Sequence, residues 1–412
     1  MRASVSWALL ALVTPAHAQP TPANLKAPEA TSAGQLGEDP YTRYELLDPG
    51  SGKFRILYEV SSNEPGATSY FNPIRKGSIA SDEHATDLST GKPLQFRIVT
   101  GATARASGAK RADLEGDYLQ VMLARPVPQG GGEGRILIDK TYEDAKSYYR
   151  EGETIVFSRP LGVNRNAVVL PAGYTLVSCN VPSQVLQQPD GRNMISFWNT
   201  SPAPAPLVLK ARRVAIADRP SSVLATKLVE RAHQTREIVY LLQQPETHRF
   251  DLYHDYTETR PGVSTYVNLV RAGSQVSNPT GLNLDTGKRL QTRVLRGADV
   301  AKVLPEAQEV TPSTEAVVFS FVPVPTGGSA RLRFAETYTD PGSYRIVGDE
   351  LVWERSLGRA ANAVVLPAGW ALTNSSAPVI LSELSDGRAR LDYLNPRPDE
   401  LQVLITARRV SH

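Results

Sequence analysis

Cross-linking and metal-binding side chains are scarce in this chain. One cysteine, Cys179, stands among 412 residues, so no intramolecular disulfide can form and stability must come from packing. Cys179 ends the alternating stretch Tyr174–Cys179, with Ser375 at the matching place later in the chain, and is read as a buried, inert thiol. Six histidines are present, and none forms an HExxH motif or a closely spaced pair. His248 and His254 share a strand face but lie ~20 Å apart at ~3.3 Å per residue. His254 falls on an apolar face and is expected to be a satisfied core histidine. Zinc catalysis needs three or four converging ligands, and no pattern here supplies them, so neither a metal site nor a cofactor is expected. The phosphate-binding and nucleophile-elbow patterns GxxxxGK[ST] and GxSxG are missing too. Gln129-Gly-Gly-Gly-Glu-Gly134 leads into a strand-like run, not a helix, and reads as a hairpin loop.

Charge of one sign and long apolar runs are also missing. The net charge is +3 on 45 basic and 42 acidic side chains, which gives no footprint for a nucleic-acid partner or an anionic membrane. After the N-terminus no stretch approaches the ~18 consecutive apolar residues of a membrane span. The N-terminus itself combines Met1-Arg2, an apolar run from Val5 to Val13, and Ala16-His17-Ala18. This is the pattern of a secretory signal peptide over residues 1–18, cut after Ala18, and it predicts an exported protein, periplasmic or extracellular. No Cys follows the cleavage site, so no lipoprotein anchor is expected. Residues 19–42, rich in Pro, Ala, Thr and Gly, read as a disordered leader.

What the chain does contain is a duplication. Asn166-Ala-Val-Val-Leu-Pro-Ala-Gly173 recurs as Asn362–Gly369, and the register between the copies holds over most of their length. Phe54 matches Phe250, Tyr70 and Asn72 match Tyr266 and Asn268, and Thr90-Gly91-Lys92 matches Thr286-Gly287-Lys288. Asp190-Gly191-Arg192 matches Asp386-Gly387-Arg388, and Ala211-Arg-Arg-Val214 matches Ala407-Arg-Arg-Val410. Repeats of this length are tandem domains, not a solenoid. Copy one is expected over residues 43–215 and copy two over 238–412. Between them lies a linker, 216–237, whose run Ser221–Ala232 places Leu224, Leu228 and Ala232 on one face of a short helix.

Within each copy the hydrophobic period is two. Phe54, Ile56, Tyr58 and Val60 alternate with Arg55, Glu59 and Ser61, and the runs at 94–99, 118–124, 136–139, 154–157, 167–170, 194–198 and 207–211 behave alike. Turn signals such as Pro65-Gly66, Thr90-Gly91 and Pro189-Asp-Gly191 separate them. The pattern, with 30 Gly and 31 Pro, predicts an all-β protein. Its architecture would be two tandem homologous antiparallel β-sandwich domains joined by a short helical linker.

Two polar constellations recur. Tyr142, Asp144 and Tyr148 are matched by Tyr338, Asp340 and Tyr344 in a segment between strands; Arg159 is matched by Arg355 just ahead of the repeated octapeptide. Aromatic contact area with directional polar groups makes these eight residues candidates for a binding surface. The competing structural reading is a tyrosine packing a loop onto the sandwich and an arginine in a buried-edge ion pair. The octapeptide has no ionisable side chain and reads as a core strand stopped by proline, then a tight turn, with Asn capping it.

The order of elements, through Leu119-Gln-Val-Met-Leu123, a Gly-rich hairpin, Leu170-Pro-Ala-Gly-Tyr174 and Asp190-Gly191-Arg192, resembles the N-terminal β-sandwich domain of M1-type zinc aminopeptidases. The resemblance implies a fold for each copy. In that family a zinc-bearing catalytic domain follows the sandwich; none follows here, so peptidase activity is not carried over. The expectation is an exported non-catalytic protein with a binding or structural role, acting on an unknown protein or envelope component. The alternatives are a hydrolase-like enzyme with a site in the interdomain cleft, built from the Tyr-Asp-Ser-Tyr segments, or an accessory subunit of an exported enzyme.

Overall fold

The computed structural model describes residues 40–201, 203–213, 228–233, 236–304 and 310–410. The expected signal peptide, nearly all of the leader, and residues 221–227 of the expected helix lie outside them. Leu228–His233, the rest of the expected helix and the residue after it, have no helical structure. The segment bends at Arg231–His233, and side chains of copy one hold it there, which overrides its helical spacing. The leader also ends earlier than its composition suggests, because Tyr41 and Thr42 open a strand.

Each copy folds into the same three sheets. In copy one an eight-stranded sheet runs, in spatial order, Gln184–Gln187, Asn193–Trp198, Arg165–Val169, Tyr41–Leu46, Lys53–Ser62, Gly134–Glu143, Ile79–Asp87 and Lys92–Pro93. In copy two the matching order is Ile380–Glu383, Ala389–Leu394, Ala361–Val365, Arg236–Leu242, Arg249–Glu258, Ala330–Thr339, Gln275–Asn283 and Lys288–Arg289. Pairing is antiparallel except once per copy, where the first strand lies parallel to the strand of the repeated octapeptide. Both copies break the seventh strand with a bulge, at Asp82 and Asn278, whose φ angles of 55° and 51° are in the region short polar side chains tolerate.

Two smaller sheets pack on one face of the large one. The four-stranded sheet of copy one (Tyr174–Cys179, Ala205–Arg213, Thr154–Leu161, Tyr148–Glu151) encloses the main core of Phe54, Phe157, Val168, Phe197 and Leu209. The three-stranded sheet (Ser69–Ile74, Asp117–Met122, Phe96–Thr100) covers a second core of Val60, Leu119, Val121, Ile136 and Ile138. Copy two fuses the two layers into one cluster, with Phe250, Phe334, Tyr338, Trp353 and Phe319 buried together. Alternation decides which residues reach these cores: Phe54, Ile56 and Val60 are buried, while Arg55 points to solvent and pairs with Asp139.

The octapeptide is this scaffold's central strand and turn. Ala167, Val168, Val169 and Leu170 have no exposed surface, and the Asn166 and Asn362 side-chain amides donate to Val163 O and Arg359 O at 2.9 Å, bracing the bend before the strand and not the Pro-Ala-Gly turn after it that the sequence suggested. Gly173 and Gly369, with φ of 77° and 80°, make the turn that a residue with a Cβ would strain. Cys179 is half-buried rather than buried, and its thiol points at Val181 O as the Ser375 hydroxyl points at Ala377 O.

The copies meet through a reciprocal contact. The turn at Leu88–Gly91 meets the hairpin Pro325–Ser329, and the matching turn at Leu284–Gly287 meets the matching Gly-rich hairpin Pro128–Glu133. Ser329 Oγ donates to Leu88 O at 2.8 Å, and Glu133 N donates to Leu284 O at 2.7 Å. A Cβ on Gly328 would stand 2.6 Å from Ser89 O, and one on Gly132 would stand 2.6 Å from Leu284 O. Patch i touches patch j on one side and j touches i on the other, the arrangement of a two-fold interface.

Candidate functional site

The eight sequence candidates fall into two matching groups. In copy one, Asp144 follows the strand Gly134–Glu143, and its Oδ2 accepts from Arg159 Nη1 at 2.9 Å and from Ser147 Oγ at 2.7 Å. Its Oδ1 accepts from the backbone N–H groups of Lys146 and Ser147. The Arg159 guanidinium lies over the Phe54 and Tyr142 rings, 5.4 and 5.6 Å from their centroids. Tyr148 is fully buried and donates to Leu47 O at 3.0 Å. In copy two, Asp340 Oδ2 accepts from Arg355 Nη1 at 2.9 Å and from Ser274 Oγ at 2.9 Å, Arg355 lies over Phe250 and Tyr338, and Tyr344 donates to Gln243 O.

Burial raises the Asp144 and Asp340 carboxyls, but serine and backbone hydrogen bonds together with the arginines hold both below the usual range. All eight side chains are buried, and together they fasten the loop after one strand to the next sheet. Each group lies at the far end of its strand from the junction between the copies. About nine residues at ~3.3 Å separate it from that junction, so the Tyr-Asp-Ser-Tyr segments do not line the interdomain cleft.

That cleft does exist, with a volume of about 150 Å³ and a lining that includes Glu59, Ser61, Arg135, Arg165, His233 and Arg331. Arg135 and Arg331 occupy matching places in the copies, as do Ser61 and Thr257 across from it, so the cleft straddles the two-fold relation. Arg135 donates to both oxygens of Asp285 at 2.6 and 3.1 Å and to Ser329 O at 3.1 Å, and Arg331 N donates to the same carboxylate at 2.8 Å. At 7% and 4% side-chain exposure, Arg135 and Asp285 form a buried ion pair between the copies.

Two features escaped the sequence. Lys140, whose ammonium donates to Asn72 Oδ1 at 2.6 Å, is replaced in copy two by Glu336, which accepts from Asn268 at 2.7 Å. A reversal of charge at one register position is visible once the copies are aligned; its burial is not. Burial lifts the Glu336 carboxyl to about 7 against hydrogen bonds from Asn268 and Tyr338 that lower it. Close by, His254 lies between the Tyr266 and Phe334 rings, but its Nε2 has no hydrogen-bond partner, so it is a core histidine without the satisfaction expected of it. Burial, reinforced by Arg236 and Arg359, depresses it to about 3.

The second feature is the segment Leu228–His233, which lies against the large sheet of copy one on the face turned away from the main core. Glu230 Oε1 accepts from Tyr41 OH at 2.9 Å and Ser196 Oγ at 2.6 Å. The Gln184 amide donates to Val229 O and accepts from Arg231 N, both at 3.0 Å, while Arg165 donates to Ala232 O at 3.0 Å. His233 bonds to Glu59 at 3.1 Å and packs on the Tyr41 ring at 4.4 Å. Arg231 then reaches copy two, donating to Asn395 O and Gly358 O.

Among the described residues no three His, Cys, Asp or Glu side chains come together to hold a metal ion, and no helix is long and apolar enough to cross a membrane. The fold defines an all-β protein of two similar halves. No family model matches the chain, and no curated protein matches it in sequence. Solved structures give partial likenesses. One is an aminopeptidase N family protein from Idiomarina loihiensis, at 12% identity over 42% of this chain and 29% of that one, with a TM-score of 0.26. Another is a two-domain M1 zinc metallopeptidase bound to L-tryptophan, at 15% identity over 46% of this chain and 45% of that one, with a TM-score of 0.27. Collagen adhesin from S. aureus matches at 9% identity and a TM-score of 0.15, covering 76% of this chain and 81% of that one. The likeness to M1 aminopeptidases is weak and partial, and this chain spans less than half the length of either such protein.

Proposed function

We propose that this is an exported, non-catalytic protein with a binding or structural role at an envelope component. One observation carries the reading: the polar constellation with the strongest chemical look is built twice, with Asp–Arg distances of 2.9 Å in both copies. Catalysis asks for one site whose acid, base or nucleophile stands exposed to a substrate. Here both carboxylates are buried against an arginine of their own domain, which supports a scaffold role for these residues. The N-terminal pattern of Met1–Ala18 supports export.

The test is a pull-down with the mature protein from its native envelope extract, read by mass spectrometry. Recovery of one partner in stoichiometric amount is the expected result. A protein recovered alone that hydrolyses a substrate, and loses that activity in Asp144→Asn/Asp340→Asn, would establish the enzyme reading instead. That alternative has the 150 Å³ cleft in its favour, although the residues lining it are not the ones the sequence singles out.

A further inference from the structure

Copy two and the segment before it bring three arginines together without a carboxylate. Arg236 opens the strand Arg236–Leu242, and Arg359 precedes Ala361–Val365, which runs parallel to it with Glu237 beside Ala361. This register sets both arginines at the same end of neighbouring strands. The Arg236 guanidinium lies over the Tyr256 and Tyr266 rings, 5.0 and 5.2 Å from their centroids, and donates to Tyr266 OH at 2.7 Å. Arg231 arrives from the linker and donates to Asn395 O at 3.1 Å and to Gly358 O, one residue before Arg359, at 3.3 Å.

The three charges act on one another and on the same neighbours. Burial lowers the Arg359 pKa, and Arg236 and Arg231 lower it further. Arg236 and Arg359 both act on the Tyr266 hydroxyl, which burial raises, and on His254, which burial depresses. His254 packs on the Tyr266 ring at 5.5 Å and leaves a buried Nε2 without a partner beside this cluster. Among the described residues none of the three arginines forms an ion pair, and the Arg359 guanidinium donates no hydrogen bond. The acids of the surrounding strands are engaged elsewhere: Glu258 with Arg260 and Tyr256, Asp255 with Arg333, Glu336 with Asn268. Glu400, near Gly358, is exposed. All three arginines are half-buried, so they are partly stripped of water yet open to solvent. Like charges held this way destabilise the fold, and an anion from solution relieves them.

Copy one shows that the scaffold does not need these charges. Pro40, Val163 and Tyr58 stand at the positions of Arg236, Arg359 and His254, and the Tyr58 and Tyr70 hydroxyls lie 3.4 Å apart in a hydrogen bond of their own.

We propose that Arg231, Arg236 and Arg359, with the Tyr266 hydroxyl, form a binding site for the phosphate group. Planar guanidinium forks match the paired oxygens of a phosphate, and a dianion answers three cations better than a halide does. Free phosphate compounds and the headgroup of a phosphorylated lipid both carry this group. The site goes beyond the binding role proposed above and does not depend on it.

The experiment is isothermal titration calorimetry of the full-length mature protein with inorganic phosphate at low salt. The wild type should bind phosphate saturably, with sulfate competing and chloride at equal ionic strength not competing. Arg359→Gln and Arg236→Gln should each weaken binding at least ~10-fold, since each removes charge-assisted hydrogen bonds. Arg397→Gln, which breaks an exposed pair with Asp399, should leave it unchanged. Without phosphate Arg359→Gln should melt higher than the wild type, and phosphate should not raise it further, which separates a lost site from a damaged fold. If Arg236→Gln, which also loses its bond to Tyr266, does not fold, Arg231→Gln takes its place with the same direction expected. Co-sedimentation with phosphatidic acid vesicles, against phosphatidylcholine alone, distinguishes the sources. Retention that inorganic phosphate reverses assigns a lipid headgroup, and phosphate binding without retention assigns a soluble phosphate compound. No saturable phosphate binding, or binding that survives the arginine substitutions, overturns the site and leaves the pull-down reading untouched.

Discussion

At position 336 a carboxyl group stands in a core of aromatic rings. Its pKa of about 7, against 4.5 in an unfolded chain, means that the folded state favours the protonated form. The contribution of this one group is therefore fully present below pH 4.5 and is lost as pH rises to about 7, by on the order of 3 kcal/mol from the size of the shift. His254 has the opposite sign: lowered from 6.5 to about 3, it makes copy two lose stability as pH falls from 6.5 toward 3. Copy two should be most stable between these limits. Glu336→Gln should raise the melting temperature at pH 8 and leave it nearly unchanged at pH 4.5, which thermal melts at the two pH values will check. A variant that melts like the wild type at both would show the carboxyl to be solvated. The arginine–aspartate pairs allow a second prediction at this scale. Removing Asp340 leaves Arg355, 8% exposed in its side chain, without a counter-charge, so Asp340→Ala should cost about 3–5 kcal/mol in urea unfolding, and Asp144→Ala a similar amount.

Among the elements, the octapeptide turn is the plainest case of local sequence dictating structure. No heavy atom lies within 4 Å of a Cβ built on Gly369, so Gly369→Ala should cost only the left-handed strain, about 1 kcal/mol. Chemical denaturation of the full chain measures it; a cost above about 3 kcal/mol would mean that the turn has a packing role as well. Strands and turns were legible in the sequence because each follows from residues a few positions apart; Asn166 and Asn362 brace the bend ahead of the strand and not the turn behind it, a choice that spacing alone leaves open. Which strand neighbours which was not legible. Alternation says that Tyr44 and Val168 face inward, but not that their strands lie side by side, 124 residues apart, in parallel. Residues 228–233 show the reverse failure: Leu228 and Ala232 have helical spacing, yet Glu230 and His233 find partners on a neighbouring sheet, and these contacts replace the helix. The His233–Glu59 contact adds a pH term. Burial lowers the imidazole, but the hydrogen bond and charge of Glu59 outweigh it and raise its pKa, while the Glu59 carboxyl is lowered. This contact is complete below the usual histidine value and above the usual glutamate value. It fades as pH rises through the raised imidazole pKa or falls through the lowered carboxyl pKa.

For the whole molecule, the duplicated sequence announces two domains but says nothing of how they meet. Gly91 and Gly132 read only as turn and hairpin glycines, because the atoms that make them necessary belong to the other copy. Asp285 is where the two-fold relation breaks: Ser89 stands at its matching position, so one carboxylate serves both Arg135 and the Arg331 backbone. Reciprocal contacts and this buried pair make the two halves a single closed unit. Scanning calorimetry of the full chain beside Asp285→Ala tests it most directly. The wild type should unfold in one cooperative transition, and the variant, with Arg135 buried and unpaired, in two separated ones. Two independent transitions in the wild type, unchanged by the substitution, would contradict it.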